Sequence, residues 1–221
     1  MKKLLLLGAA VAGLATAQAQ ITVHPRAEVG VNVSNLSVKS DEPSNEQQKA
    51  LVGLRIGGAA EITLPITLHP MATLYVAPGL QYRQLGATAT DPKHPLAEGK
   101  VRINALTLPV NLGVRVPLNE RIAVSLEAGP NFSYALTAEY IFTGDINSNR
   151  SEVRNLLKKA SAEEKEANFK RFEAGLGVSA ALEYDKYFVR VGADFGLNNL
   201  SNIEKNSAKT SDFHIGVGYR F

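Results

Sequence analysis

Eight times along this chain, apolar side chains recur at every second position, the spacing of a strand with one apolar and one polar face. In the first segment Ala27, Val29, Val31 and Val33 share a face, while Glu28, Gly30, Asn32 and Ser34 share the other. The apolar faces that follow are Val52, Leu54, Ile56, Ala60 and Ile62, then Leu74, Val76, Leu80 and Tyr82. Leu106 to Val114, Ile122 to Ala128, Phe172 to Tyr184 and Val189 to Leu197 repeat the pattern. Phe213, Ile215, Val217, Tyr219 and Phe221 complete it. Each segment is near the ~9–11 residues with which a tilted strand crosses a bilayer.

The connections sort by length. Residues 37–50, 86–100, 137–171 and 198–211 make long links, and the links around Pro65, at 117–120 and at 185–186 are short. Strict alternation of long and short is what an up-and-down barrel with both termini on the periplasmic side requires. The expected fold is therefore all-β: a closed antiparallel transmembrane barrel of about eight strands. Within the longest link, Val153, Leu156, Leu157 and Ala160 have helical spacing, and Ser161 with Glu164 forms a capping box, so a surface helix or an irregular loop is expected there. Tyr140 and Phe142 extend the fifth strand above the membrane, and a ten-stranded barrel is the alternative.

Lys2 and Lys3, the apolar run from Leu4 to Leu14 and Ala17-Gln18-Ala19 have the layout of a cleaved secretory signal. The run is shorter than the roughly 20 residues of a spanning helix. Residues 1–19 are thus expected to be a signal peptide and 20–221 a single barrel domain. The chain has no cysteine, which removes disulfides and thiol chemistry. Two of the positive charges behind the formal net charge of +3 lie in the signal, so nothing points to nucleic acid.

Opposite the apolar faces lie Glu28, Arg55, Glu61, Arg83, Glu127, Glu173, Glu183, Arg190, Asp194, His214 and Arg220, with Arg26 and Arg115 on the same parity near strand ends. A pore, an active site and a filled core would all use such residues. An eight-stranded barrel is only wide enough to be filled by side chains, and charges buried there must pair, so a packed polar network is the expectation. Gly57, Gly175, Gly177, Gly192, Gly196, Gly216 and Gly218 share that face and leave room for long side chains. No metal-ligand spacing connects the four histidines. His24 and His69 flank Pro25 and Pro70 as turn residues, and His94 sits beside Asp91 in a loop. His214, Ser179 and Ser125 share the inward parity that a hydrolase would need. Tyr82, Phe132, Tyr134, Phe172, Tyr184, Tyr187, Tyr219 and Phe221 gather near segment ends, where interfacial aromatic girdles lie.

Leu106-Thr107-Leu108-Pro109-Val110-Asn111-Leu112-Gly113, followed by Leu126-Glu127-Ala128-Gly129-Pro130-Asn131-Phe132-Ser133-Tyr134, resembles the central hairpin of the PorT-like outer-membrane β-barrel proteins. Tyr75 to Tyr82 resembles the strand before it, and Gly216-Val217-Gly218-Tyr219-Arg220-Phe221 the usual end. The resemblance implies the barrel and an outer-membrane location in a Gram-negative envelope. It implies no one activity, and no catalytic residues carry over. Pro78, Pro109 and Pro130 each remove a ladder donor, so bulges or distortions are expected there.

The resulting expectation is a monomeric, non-enzymatic barrel without cofactor or metal, surrounded by outer-membrane lipid. Phe213, Ile215, Val217, Tyr219 and Phe221 look like a signal for the barrel-assembly machinery, and the surface loops would bind a protein or an envelope component. The alternatives are an accessory part of a secretion or assembly system, a barrel hydrolase acting on lipid or peptide, and a soluble periplasmic ligand-binding barrel.

Overall fold

A computed structural model describes residues 22–39, 47–69, 72–91, 94–143, 151–157, 169–202 and 207–221. The expected signal peptide lies outside them. Nine strands follow in order: β1 (Val23–Lys39), β2 (Gln47–His69), β3 (Ala72–Asp91), β4 (His94–Pro117), β5 (Ile122–Thr143), β6 (Ser151–Asn155), β7 (Phe172–Tyr184), β8 (Tyr187–Gly196) and β9 (Ser207–Arg220). All pairings are antiparallel, and each barrel strand pairs with the next until β9 returns to β1. Eight strands thus close the barrel, and β6 stands outside the cycle.

The segment with helical spacing is strand at Val153 and turn at Leu156 and Leu157, not helix, where it is described; Ala160, Ser161 and Glu164 lie outside the described residues. Ser151–Asn155 pairs with Glu139–Thr143 of β5. β7 pairs with β5 only as far as Tyr134, so the upper β5 edge would otherwise leave its backbone groups without a ladder. Meeting that demand outweighs a four-residue helical pattern.

Other expectations change in detail. Residues 86–91 and 94–100 are strand rather than loop, and Pro65 lies inside β2, within the register shift between Thr63 and Thr67. His24 lies within β1, His69 closes β2 and His94 opens β4, so none sits in a turn or loop. No bulge forms at Pro78, Pro109 or Pro130. The β3–β4 register is the same at Pro78↔Val110 and at Gln81↔Thr107, with pairing merely interrupted between them. Pro109↔Asn131 and Leu112↔Ala128 behave likewise, and β5–β7 runs continuously through Pro130. The missing donor is thus absorbed by a local gap without a change of register.

The strands reverse their polarity part-way along. On lower β4, Leu106, Leu108, Val110 and Leu112 face out while Thr107, Gly113 and Arg115 face in. Above that level Asn104, Arg102 and Lys100 face out, and Ala105 and Ile103 are buried inside. β3 changes at the same height, from inward Arg83 to inward Leu85 and Ala87. β1 changes from Asn32 and Ser34 to Leu36, and β9 from His214 and Asp212 to Ala208. The lower part is a membrane barrel and the upper part has the polarity of a water-facing one, so the reversal marks the outer edge of the hydrocarbon.

Aromatic rings bracket the apolar belt. Phe132 stacks on Phe172 at 6.4 Å near the outer edge. At the other end Tyr219 meets Tyr187 at 5.2 Å and Phe221 at 5.0 Å. An apolar plug fills the outer mouth, built from Leu36, Leu85, Ile103 and Ala138 of the wall with Leu157, Phe169 and Leu200 from the loops.

Candidate functional site: the ionic interior

Below the plug the inward side chains form two connected charge clusters. The lower one centres on Glu127, which lies 2.8 Å from Arg190 and is also bound by Arg26. Arg26 reaches Glu61 at 2.9 Å, and Glu61 also holds Arg115 at 2.7 Å and Arg220 at 3.1 Å. Arg115 continues to Glu183 at 2.8 Å, and Arg190 to Glu28 at 3.0 Å. Tyr75 donates its hydroxyl proton to Glu127 at 2.7 Å, and its ring lies under the Arg115 guanidinium.

The upper cluster joins Arg55 and Arg83 to Asp194 and Asp212. Asp194 Oδ2 lies 2.7 Å from Arg55 and 2.9 Å from Arg83, and Arg83 reaches Asp212 at 3.1 Å. Asn131 donates to the other Asp194 oxygen at 2.9 Å. Arg83 also donates to Thr107 at 3.0 Å and to Ser133 at 2.9 Å. Glu173, higher up, has no ion pair among the described residues and accepts a hydrogen bond from Thr210. It departs from the rule that each buried charge pairs.

Inward glycines make this crowding possible. A Cβ on Gly113 would lie 2.3 Å from the Tyr75 ring, one on Gly192 2.5 Å from His214 Nε2, and one on Gly196 2.1 Å from the Glu173 carboxylate. The register of β4 against β3 sets Gly113 opposite Tyr75, and that of β8 against β9 sets Gly192 opposite His214.

The structure buries Arg55, Glu61, Arg83, Glu127, Glu173, Glu183, Arg190, Asp194 and His214, leaves Glu28 and Arg220 half-buried, and sets Arg26 and Arg115 in the lower cluster. Asp212, Tyr75 and Asn131 were not among the candidates. Asp212 shares the parity of His214, and Tyr75 is opposite in parity to Leu74 and Val76, so both were readable as inward. Ser179, Gly192 and His214 lie in register at one level, but Arg190 donates to Ser179 Oγ at 2.9 Å. Ser125 sits one inward position lower on β5 than Glu127.

Asp194, Asp212 and His214 offer three ligand atoms within 4.8 Å of one another. The space between them holds Arg55 Nη1, which is 2.7 Å from Asp194, 3.2 Å from His214 Nδ1 and 3.8 Å from Asp212. A guanidinium is the cation of this cluster, and a metal would have to displace it.

A closed barrel with an apolar outer belt, aromatic margins and a charge-filled interior is an integral outer-membrane protein by architecture. The soluble periplasmic alternative fails on the same ground, since its exposed face would carry Leu108, Leu126, Val178 and Ile215 side by side with their equivalents around the wall. The chain belongs to the outer membrane protein beta-barrel domain family, whose model matches residues 4–221. That membership places it in the outer membrane.

Among solved structures it is similar to Ail, the attachment invasion locus protein of Yersinia pestis, at 15% identity over 90% of this chain and 99% of that one, with a TM-score of 0.38. It is also similar to OprG from Pseudomonas aeruginosa, at 12% identity over 90% and 95% of the two chains, with a TM-score of 0.42. Neisserial surface protein A follows at 10% identity over 89% and 97%, with a TM-score of 0.40. No curated protein matches the chain.

Proposed function

We propose that this barrel is a non-enzymatic, monomeric scaffold that holds a rigid binding surface above the outer membrane, for a protein or another envelope component. Strand length carries the reading. β2, β3, β4 and β5 have 23, 20, 24 and 22 residues, against 13 in β7 and 10 in β8. A bilayer crossing uses ~9–11. One side of the barrel therefore rises well beyond the membrane as a continuous sheet, extended sideways by β6. Its outward face carries Lys100, Arg102, Asn104, Thr137 and Glu139. Sheet stiffened by an apolar plug supports recognition better than loose loops do, because less order is lost on binding.

The filled interior supports a non-conducting and non-catalytic reading, since Ser179 Oγ is held by Arg190 and the interior cavity beside His214 measures only about 20 Å³. The motifs at 106–113 and 126–134 support kinship with PorT-like proteins, and through it the second reading of an accessory role in secretion or assembly. Export by cleavage after Ala19, and delivery to the assembly machinery through Phe213, Ile215, Val217, Tyr219 and Phe221, complete the proposal.

The test is photo-crosslinking in intact cells from a probe at position 102, with position 108 on the lipid face as control. A discrete adduct from 102, absent from 108 and lost when residues 87–101 are replaced by a short turn, is expected. Lipid adducts alone from both positions, or conductance of the purified barrel in planar bilayers, overturn it.

A further inference from the structure

The two charge clusters meet at a small cavity of about 20 Å³. A single water needs roughly 10–15 Å³ on this measure. Glu28, Gln81, Arg55 and His214 line the cavity, and each keeps one buried polar atom without a partner among the described residues. Those atoms are Glu28 Oε1, Gln81 Oε1, Arg55 Nε and His214 Nε2.

Their chemistry is complementary. The carboxylate and amide oxygens only accept, and Arg55 Nε only donates. The role of His214 Nε2 follows from its other nitrogen. Arg55 Nη1 lies 3.2 Å from His214 Nδ1, nearer than the Asp212 and Asp194 carboxylates at 3.5 and 3.6 Å, and a guanidinium has no lone pair to offer. Nδ1 therefore accepts, and the ring proton sits on Nε2. The residues that line this one cavity thus carry two unpartnered donors and two unpartnered acceptors.

The charge around it is balanced. Arg26, Arg55 and Arg190 line it together with Glu28, Glu127 and Asp194, three cations against three carboxylates. An added cation would meet the Arg55 and His214 protons, and an added anion the Glu28 and Gln81 oxygens. Only a neutral molecule with two protons and two lone pairs satisfies all four.

The geometry points to one buried water at this junction, accepting from Arg55 Nε and His214 Nε2 and donating to Glu28 Oε1 and Gln81 Oε1. It joins the lower and upper clusters into one network. It also fixes His214 as the neutral Nε2-protonated tautomer. Arg55 and His214 thus spend one nitrogen each on the upper cluster and one on the water, and the inference stands independently of any loop-binding role.

The test uses the folded barrel in lipid nanodiscs, labelled with ¹⁵N-histidine. His214 is assigned by its disappearance in His214→Asn, since only His24, His69 and His94 remain. Long-range ¹H–¹⁵N correlation reads the tautomer, and a cross-relaxation experiment detects water beside the Nε2 proton. The expected result is an Nε2-protonated ring with a cross-peak to a slowly exchanging water. A ring protonated on Nδ1, or on both nitrogens, or a ring proton without a water cross-peak, overturns the assignment. Gln81→Met removes one acceptor at nearly constant volume and should weaken the cross-peak while unboiled gel mobility stays that of a folded barrel. If Gln81→Met does not fold, Gln81→Leu reads the same loss. An unchanged cross-peak in the folded variant also overturns the placement.

Discussion

Neutralising Glu127 is the sharpest test of the interior, because this one carboxylate ties two arginines together. It is buried, and it accepts from Arg26 Nη2 at 2.9 Å, from Tyr75 at 2.7 Å and from Asn111 at 3.2 Å, with Arg190 2.8 Å away. Glu127→Gln keeps the shape and removes the charge. Arg26 is then left with Glu61 at 2.9 Å and Arg190 with Glu28 at 3.0 Å. Breaking a buried pair costs roughly 3–5 kcal/mol. Each arginine retains one carboxylate, so the lower end, about 3 kcal/mol, is expected. The assay is urea unfolding in lipid vesicles, read by the mobility of unboiled samples. Arg190→Met should destabilise comparably. The double variant should cost less than the sum by roughly 0.5–3 kcal/mol, because the second change removes a charge that the first left poorly paired. Glu120→Gln, in the exposed turn between β4 and β5, is the control and should stay within about 0.5 kcal/mol. A Glu127→Gln cost below about 1 kcal/mol, the size of an exposed pair, would refute the reasoning and mean that water screens the interior.

The polarity reversal and the plug yield two further tests in the same assay. Val110→Arg, within the apolar belt, should cost roughly 2–4 kcal/mol, whereas Arg102→Leu, above the belt, should stay within about 0.5 kcal/mol; similar costs at both positions would remove the boundary from between them. Leu85→Ala, a plug residue 1% exposed, should cost roughly 2–5 kcal/mol by opening a cavity. Leu108→Ala, on the lipid face, should cost well under half of that because lipid refills the space; equal losses would mean that the plug is not packed.

Strand existence was legible because a period of two needs no partner to be seen. Strand length was not, and the reason is physical. A search for apolar-out alternation stops at Leu106, where the surroundings of the outward face change from lipid to water. Beyond it the apolar residues are Ala105, Ile103 and Val101, on the other parity, so the same strand continues with its code inverted. Residues 86–91 and 94–100, expected as loop, belong to this inverted stretch. The helix expected near Val153 failed for a related reason. Its spacing was real, but the vacant upper edge of β5 offered backbone pairing that no local pattern announces.

Parity likewise gave the face of each interior residue without its partner. Arg55 on β2 meets Asp194 on β8, and Arg26 on β1 meets Glu127 on β5. Those encounters cross the barrel and depend on its stagger, which a one-dimensional pattern does not contain. Composition constrains the outcome in a weaker way. Acids and bases are close in number, yet Glu173 lies beneath the plug with Thr210 as its hydrogen-bond donor while Glu61 collects three arginines. The charges are therefore shared over the network rather than matched pair by pair. That is why single neutralisations should be felt at several residues at once, and why a double variant can cost less than its parts.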